Sequence, residues 1–403
     1  MGEKKHTIIL LILAMLFISQ CSVFDDSEAN SETHFQFLIF NEKEDVRTKQ
    51  AKIGSILDDL WLRGILSLNK SSSGNIGIGI ISNRIITTDY DLNIIDDINI
   101  PYQETSRSAW YNISRIKDTI KLKQAVSDSV VSRIEVERLN FNEPNFPEFR
   151  KVLTLESEGP HNNYFTEPRG FAYRNDFDTS KLYGHSIKYQ LQEDSLGNKL
   201  FLTPYSYNLM EFEYSASANK FLIKNKLTNV PVIQAPLLRF SGILGGRFAF
   251  IIGYDDRIYL FDNKHERWDS ISDRPLSNFV SENWHTAFTD SSFIFVSSQS
   301  LKSYNPYTQR IVTLHHFEES SQNAIVQYDK ETGKILLSYF YDEVDGTVIT
   351  NKFTTKCFTF EVRENMVKKE VFNSSFSKGN YAPVISNFIK INGSYFGIVS
   401  KHN

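Results

Sequence analysis

Short runs in which apolar and polar residues alternate recur along most of the chain, and polar turn residues separate them. Residues 247–271 show this pattern most clearly, and residues 83–100 and 291–314 repeat it. Near the end of the chain, the pair Asn392-Gly393 lies between two such runs and favours a type I′ hairpin turn. Because side chains alternate between the two faces of a strand, the pattern predicts β-hairpins throughout.

The hairpins recur at a spacing that favours one all-β architecture. Each repeating unit consists of one alternating run, a polar turn and a second run. The second run of successive units contains Phe35, Leu92, Ile134, Leu209, Ile258, Leu301 and Phe358. Gaps of 42 to 75 residues separate these positions and average about 54, and a four-stranded propeller blade needs roughly 40 to 55. The sequence therefore predicts a single β-propeller over residues 34–403, with seven blades, or six if two weak units merge. We expect residues 34–40 to join residues 388–400 in one blade and so to close the ring.

A few segments depart from the hairpin pattern. Residues 47–65 and 105–131 carry apolar residues at helical spacing and predict connector helices, although the second segment could also form strands. Pro204 and Asn208 predict a turn inside an otherwise apolar run. The longest gap contains residues 156–185, which we expect to form a loop-rich insertion over one face.

Composition narrows the class of protein. Charged residues make up 23% of the chain and hydrophobic ones 41%, which excludes bulk disorder. The abundance of Phe and Tyr, 31 and 19 residues, favours strands. The formal net charge is -4, so no global basic field draws the protein to nucleic acid.

The first residues predict a secretory signal peptide over residues 1–20. Lys4, Lys5 and His6 precede a continuous apolar run at 8–18, and this run is too short for the roughly 20 residues of a transmembrane helix. The following Ile-Ser-Gln-Cys21 resembles a bacterial lipobox, in which the cysteine becomes the first mature residue and carries the lipid. Gln20 departs from the Gly, Ala or Ser usual in such motifs.

The residues behind Cys21 predict where the protein works. Residues 21–33 are acidic and resemble the surface-export signal of Bacteroidetes lipoproteins; a solvated acidic linker is the alternative. We therefore expect a protein anchored by lipid to the outer membrane, on the cell surface or on the periplasmic face. Cys357 is the other cysteine, in a strand-like run, and is predicted to be a buried structural residue rather than a reactive thiol.

Local catalytic signatures are missing. The sequence has no H-E-x-x-H, G-x-S-x-G or Walker A motif. Residues 89–93 begin like a calcium loop but lack its glycine and its final glutamate, which predicts an ordinary turn. His315 and His316 are adjacent on a strand and would face opposite ways, so joint metal binding is not expected. We expect no catalytic residue, no metal and no cofactor to be recognisable.

Two groups of residues suit ligand recognition. The segment 161–169 combines a histidine, amides, aromatic groups and an ion-pairing acid and base, a mixture suited to sugars or peptides. The second group is a Trp-His pair that could line a central pocket, or could instead pack at a blade junction. The candidate residues are His161, Asn163, Tyr164, Glu167, Arg169, Trp284 and His285. Glu167 and Arg169 could alternatively be solvated or paired with each other.

The chain also resembles a known group of proteins. The lipobox at Cys21, a mature length of about 380 residues and the element Glu158-Gly159-Pro160 before hairpins resemble the uncharacterised propeller-type lipoproteins of Bacteroidetes, with a TolB-like propeller. The resemblance implies six or seven blades and no assigned activity. Together with the missing motifs, it favours a binding module for a glycan, a peptide or an envelope protein. The alternative is a propeller hydrolase or lyase acting on extracellular glycans, with residues from several blades.

Overall fold

The computed structural model describes most of the chain after residue 32. The described residues are 33–41, 43, 45–52, 64–70, 75–80, 84–99, 105–108, 111–116, 133–140, 148–161, 164–173, 177, 181–193, 199–233, 237–253, 257–271, 286–297, 299–317, 323–361 and 367–402. All regular elements within these ranges are β-strands. The described residues therefore contain no helix that could cross a membrane.

The strands are numbered in chain order. The first ten are β1 (His34–Asn41), β2 (Val46–Lys52), β3 (Gly64–Lys70), β4 (Ile76–Ile80), β5 (Arg84–Thr88), β6 (Ile94–Asn99), β7 (Thr105–Ser108), β8 (Tyr111–Ile116), β9 (Arg133–Asn140) and β10 (Glu148–Glu156). The next nine are β11 (Glu158–His161), β12 (Tyr164–Tyr173), β13 (Lys181–Glu193), β14 (Lys199–Ser215), β15 (Lys220–Pro231), β16 (Leu237–Leu244), β17 (Phe248–Gly253), β18 (Ile258–Asp262) and β19 (Arg267–Ile271). The remaining strands are β20 (Thr286–Phe288), β21 (Phe293–Val296), β22 (Ser300–Asn305), β23 (Arg310–His316), β24 (Asn323–Asp329), β25 (Lys334–Asp345), β26 (Val348–Glu361), β27 (Val367–Ser377), β28 (Tyr381–Ser386), β29 (Ile389–Ile391) and β30 (Ser394–His402).

Most of these strands form antiparallel sheets from consecutive segments. Strands β7–β10, β16–β19, β20–β23 and β24–β27 each make a four-stranded sheet in chain order, and β11–β15 make a five-stranded one. Hairpins of this kind need only short turns, which explains why the alternating pattern and its polar breaks predict them well. The repeated four-stranded antiparallel sheets are consistent with a β-propeller.

One larger sheet combines the two ends of the described chain. Its order is β2-β1-β30-β28-β3-β4-β5-β6, with β29 pairing β30. The pairing of β28 with β3 is parallel, Val384 opposite Gly64, whereas its neighbours are antiparallel. This parallel junction divides the sheet into two groups of strands. The predicted pairing of the chain ends is present, because β1 runs antiparallel to β30 with Phe37 opposite Ile398.

The apolar core lies between successive sheets. Between the β16–β19 and β20–β23 sheets, Phe250 stacks on Phe293 with ring centroids 4.5 Å apart. Comparable clusters join β13–β15 to β16–β18, and β20–β23 to β24–β26. Burial of such aromatic faces stabilises the stacking of one sheet on the next.

The nine-stranded sheet is bound to its neighbours in the same way. Phe40 of β1 shares a cluster with Leu336 of β25. Another cluster lies across the parallel junction and includes Phe37 and Leu68. Ile85 of β5 belongs to a cluster with side chains of β9, β10, β13 and β14. Within the described residues, an apolar cluster therefore links each sheet to the next along the chain.

The structure describes only parts of the two segments predicted to be helical. Residues 46–52 form β2 and residues 64–70 form β3. The residues at helical spacing in 47–65 run from Ile53 to Trp61 and lie outside the described residues, so that helix stays a prediction. In 105–131, residues 105–108 and 111–116 form β7 and β8, which confirms the strand alternative for this part of the segment.

Two further predictions about turns and loops are wrong. Strand β14 runs through Pro204 and Asn208 without a turn, and Pro204 is accommodated where the register shifts opposite Tyr189. The turn instead lies at residues 216–219. The segment 156–185, expected to be loop-rich, largely forms β11, β12 and the start of β13.

Predictions at single residues are confirmed. Cys357 is 1% exposed, and its Sγ lies 3.1 Å from the hydroxyl oxygen of Ser338. Residues 89–93 form an ordinary turn, in which the Asn93 backbone N–H donates to the Asp89 carboxylate. His315 is buried whereas His316 is exposed.

Candidate functional site

The first turns of several sheets meet around one cavity. An antiparallel sheet of four strands places its first and third turns at one end and its second turn at the other. The first turns lie at residues 245–247, 289–292 and 330–333, and at Asn392-Gly393 in the large sheet. Residues from three of them, together with Lys390 beside the fourth, line a cavity of about 910 Å³. We call this end of the molecule the mouth.

Glycine geometry shapes one rim of the mouth. Gly245 and Gly246 have φ values of 59° and 66°, which L-residues adopt only with strain, so the pair forms the tight turn between β16 and β17. In the adjoining strand β16, Gly242 has φ of 145°, and a Cβ there would lie 3.1 Å from Phe288 and 3.2 Å from Tyr183. This close approach allows the two rings to form part of the cavity wall.

Asp329 is the centre of a hydrogen-bonded group at the mouth. It is 2% exposed, and its Oδ2 accepts from the Tyr395 hydroxyl at 2.5 Å and from the Lys390 ammonium at 3.1 Å. The Thr332 hydroxyl and the Glu331 backbone N–H donate to the same carboxylate at 3.0 Å each. These bonds join the first turn of the β24–β27 sheet to the hairpin β29–β30.

The titration of this group follows from its contacts. Burial acts to raise the pKa of Asp329, but the donors Tyr395, Lys390 and Thr332 outweigh it, so the net pKa is lowered. For Tyr395, burial and the neighbouring Asp329 carboxylate both raise the pKa of the phenol far above its ordinary value. Asp329 is therefore a permanent carboxylate and Tyr395 a permanent hydrogen-bond donor at neutral pH.

A second buried carboxylate lies at another part of the mouth. Glu211 of β14 is 5% exposed and accepts a 2.5 Å hydrogen bond from the Asn225 side-chain amide. The Lys181 ammonium lies 3.8 Å from its other oxygen. A neighbouring residue, Phe177, packs edge-on against the Tyr395 ring at 5.5 Å and so connects this part of the mouth to the Asp329 group.

Charges of both signs line the cavity. The lysines are Lys70, Lys181, Lys224, Lys330 and Lys390, and the acids are Glu211, Asp290, Asp329 and Glu331. The acids have lysine partners, such as Lys330 for Asp290 at 3.6 Å. Aromatic rings of Phe177, Tyr183, Phe288 and Tyr328 complete the lining. A near-balanced, partly aromatic lining is suited to neutral or zwitterionic ligands with many hydrogen-bonding groups.

The candidate residues predicted from sequence lie elsewhere or outside the described ranges. Tyr164, Glu167 and Arg169 lie on β12 and do not line the mouth. His161 is in β11, opposite Tyr164, and its side chain is not described. Cys21, Asn163, Trp284 and His285 lie outside the described residues.

The structure separates the three described candidates into two environments. Arg169 pairs with Glu167 at 3.1 Å and donates from Nε to the Tyr189 hydroxyl at 2.8 Å. Strand alternation places Tyr164 on the opposite face of β12 from Glu167. There the Tyr164 ring lies 4.5 Å from the Lys188 ammonium and 5.0 Å from the Tyr205 ring.

Sequence reasoning missed the residues that build the mouth. Asp329, Glu331 and Lys390 were not predicted, because the contacts that join them connect positions about 60 residues apart. One signal in the sequence could have indicated them. The equivalent turn after the first strand of each repeat is polar, as in Thr-Asp-Ser-Ser at 289–292 and Asp-Lys-Glu-Thr-Gly at 329–333. In the part of the chain that the structure describes, no three His, Cys, Asp or Glu residues are grouped to hold a metal ion.

The fold and the mouth define a class: an all-β protein of repeated four-stranded antiparallel sheets, consistent with a β-propeller, with a polar cavity where first turns meet. No protein-family model and no curated protein matches the sequence. Among solved structures, the crystal structure of BamB from Moraxella catarrhalis is similar over 84% of this chain and 85% of that chain, with 10% identity and a TM-score of 0.34. Similarity at this level carries no argument about function.

Proposed function

We propose that this protein is an envelope binding module whose mouth holds a glycan, a peptide or a segment of a partner protein. One observation carries the proposal: first turns and adjoining strands of several sheets supply charged, amide and aromatic side chains to one cavity of about 910 Å³. Sites assembled in this way recognise ligands with a few placed polar groups on a rigid scaffold. The balanced charge of the lining gives no attraction for nucleic acid.

The scaffold in this proposal is a closed seven-bladed propeller. Dividing the large sheet at its parallel junction gives two groups, β28–β30 with β1 and β2, and β3–β6. The other five sheets bring the number of blades to seven. The apolar clusters between successive sheets run from each blade to the next and back to the first. This cyclic order supports closure of the ring by the pairing of β1 with β30.

The proposal includes a lipid anchor at Cys21, followed by the acidic tether at residues 21–33. Its basis is the basic start, the short apolar run and the lipobox-like Ile-Ser-Gln-Cys21. In cells that lipidate their exported proteins, Cys21→Ala should abolish labelled-lipid uptake and release the protein from the membrane fraction. Membrane retention of both forms without lipid uptake would contradict the anchor.

The binding site is tested with a charge swap at the rim of the mouth. Lys330 and Glu331 are about 80% exposed, so Lys330→Glu/Glu331→Lys alters the local field without burying a charge. We expect ligands found on glycan and peptide arrays to bind about tenfold more weakly, a loss of about 1.4 kcal/mol. The matched control is Lys369→Glu/Glu370→Lys on the exposed strand β27, which should bind normally. Equal binding by wild type and both swaps would contradict the mouth as the site.

One observation favours the alternative, a glycan hydrolase or lyase. Lys390 lies 3.1 Å from both the Asp329 and the Glu331 carboxylate, so these two groups are no more than about 6 Å apart; paired carboxylates at such distances occur in glycosidases. The lowered pKa of Asp329 excludes this carboxylate as the general acid, which needs a raised pKa, and leaves it only the role of the ionised partner. Product release from an array polysaccharide that is lost in Glu331→Gln would establish the enzyme instead of the binding module.

A further inference from the structure

The hairpin β25–β26 carries an exposed apolar tip. Val344, Val348 and Ile349 are 43%, 67% and 61% exposed, and they flank the turn that Gly346 makes with φ of 62°. Val344 and Ile349 are opposite each other in the ladder, so the three β-branched side chains share the end of one ribbon. Clustered exposed apolar side chains mark contact surfaces, whereas single ones are ordinary.

This tip points away from the mouth. The turn between β25 and β26 is the second turn of its sheet, and in an antiparallel sheet the second turn lies opposite the first and third. Asp329, beside the first turn of the same sheet, lines the mouth. The tip and the cavity therefore lie at opposite ends of the β24–β27 sheet.

The described chain begins at the same end as the tip. His34 at the start of β1 lies 6.1 Å from His402 at the end of β30, measured between ring centroids. From His402 a row of rings continues through Tyr381 and Phe376 to Phe353, in steps of 4.7 to 5.2 Å. Phe353 is opposite Asp342 at the base of the projecting hairpin.

We propose that the tip formed by Val344, Val348 and Ile349 rests in the lipid surface to which the chain is anchored. The inference depends on the lipid anchor of the proposed function. Thr33 is the twelfth residue after Cys21, which limits the tether to at most about 43 Å. A lipid at Cys21 thus holds the bilayer close to the end of the molecule that carries the tip. Apolar side chains at such a surface enter the headgroup region.

The charges near the tip specify the kind of contact. Asp342 pairs with Lys378 at 2.7 Å, and Glu343 accepts a hydrogen bond from the Thr354 hydroxyl at 2.7 Å. Asp345 adds a further negative charge at the turn, and exposed Lys352 lies near Glu343. The three acids Asp342, Glu343 and Asp345 outnumber the two lysines Lys352 and Lys378, so the tip carries no net positive charge to attract anionic lipid. The contact is therefore apolar, and zwitterionic phosphatidylcholine should support it as well as an anionic mixture does.

A second hairpin at the same end has residues typical of a membrane interface. β13 and β14 contain 13 and 17 residues. Phe177 and Lys181, at the connection from β12 to β13, line the mouth, so the connection from β13 to β14 lies at the opposite end. Tyr205 is 49% exposed and packs with Tyr164 and Lys188. Tyr and Lys are favoured where protein meets headgroups. Contact through two hairpins would point the mouth away from the membrane.

The test places a polarity-sensitive fluorophore at the tip. Lipidated full-length Thr347→Cys is labelled and reconstituted in phosphatidylcholine vesicles that contain a quencher-bearing acyl chain. The exposed position Thr308, in a third turn at the mouth end, gives the matched control Thr308→Cys. We expect quenching at position 347 to exceed that at 308 by about twofold or more. Val348→Ser/Ile349→Ser should remove most of this difference while leaving lipid attachment unchanged.

The possible results distinguish failure of the membrane contact at the tip from failure of the lipid anchor at Cys21. Lipid uptake at Cys21 with equal quenching at 347 and 308 would overturn the membrane contact and leave the anchor intact. No lipid uptake would overturn both. A blue shift at 347 in native membranes, without quenching in protein-free vesicles, would show that a protein covers the tip and would also overturn this inference.

Discussion

At the scale of single residues, the ion pair beside the β18–β19 turn shows how one carboxylate couples stability to pH. Arg247 donates from Nε and Nη2 to the two oxygens of Asp262 at 2.7 and 2.6 Å, and His265 lies 2.7 Å from the same carboxylate. The hydrogen bond from Arg247 is the main cause that lowers the pKa of Asp262 far below its ordinary range, with His265 and a backbone N–H adding to it.

The first prediction follows from that lowered pKa. Asp262→Asn should lower the free energy of unfolding by about 1–3 kcal/mol at pH 7. A carboxylate with a depressed folded-state pKa stabilises fully above its unfolded value of about 4, and this contribution disappears as pH falls through the folded value. Urea unfolding between pH 7 and pH 3 should therefore show the gap between wild type and variant narrowing below about pH 4. The control is Asp269→Asn, because Asp269 forms a half-exposed ion pair with Arg267. This substitution should change the free energy of unfolding only slightly.

The second prediction concerns the thiol of Cys357. Burial raises its pKa to about 12, so almost no thiolate exists at pH 8. A thiol reagent should leave the folded mature protein unmodified and should modify one thiol per chain in denaturant, since the proposed lipid would block Cys21. Two reactive thiols after denaturation would contradict lipidation. Stoichiometric reaction of the folded protein would contradict the burial of Cys357.

At the scale of elements, turn chemistry gives the third prediction. Gly393 has φ of 75°, and a Cβ there would meet nothing within 4 Å. Gly393→Ala should therefore lower the free energy of unfolding by about 1–2 kcal/mol, because alanine is strained in a left-handed backbone conformation. Gly379→Ala is the matched control, because that glycine has no positive φ and its Cβ would lie 3.8 Å from Ser377. Urea midpoints should fall for the first variant and stay nearly constant for the second.

The same scale shows what the sequence could and could not predict. Hairpins such as β5–β6 are predictable because alternation and the turn at residues 89–93 are both local. The parallel pairing of β3 with β28 was not predictable, since it joins Gly64 to Val384, about 320 residues later in the chain. The mouth escaped prediction for the same reason: Asp329 meets Tyr395 66 residues later in the chain. Local patterns identify strands. The order of strands in a sheet and the meeting of side chains at the mouth depend instead on contacts between residues far apart in the sequence.

At the scale of the whole molecule, a single orientation connects the two proposals. The first turns form the mouth, whereas the described chain ends and the β25–β26 tip lie at the other end of their sheets. A lipid tether attached near His34 would hold that other end against the bilayer. The cavity would then face away from the membrane, where glycans, peptides or partner proteins can reach it without competing with lipid.

The last prediction tests whether β1 and β30 hold the ring closed in solution. Gln36 is opposite Ser400 in the ladder, and the Ser400 hydroxyl donates to the Gln36 side-chain oxygen at 3.3 Å. Opposite residues in antiparallel strands have Cα atoms about 4.5–5.5 Å apart, which suits a disulfide. In a Cys21→Ala background, oxidised Gln36→Cys/Ser400→Cys should be about 3–5 kcal/mol more stable than its reduced form, because the bridge joins segments over 360 residues apart.

A bridge inside one hairpin provides the comparison. Ser303 is opposite Val312 across the β22–β23 turn, so Ser303→Cys/Val312→Cys closes a much shorter loop and should stabilise the chain less. Urea midpoints of oxidised and reduced forms measure both effects. If the bridge between positions 36 and 400 does not form in the folded protein, β1 and β30 are not paired in solution and the closure proposal fails. A gain that exceeds that of the hairpin bridge and disappears on reduction would support the pairing of the two chain ends.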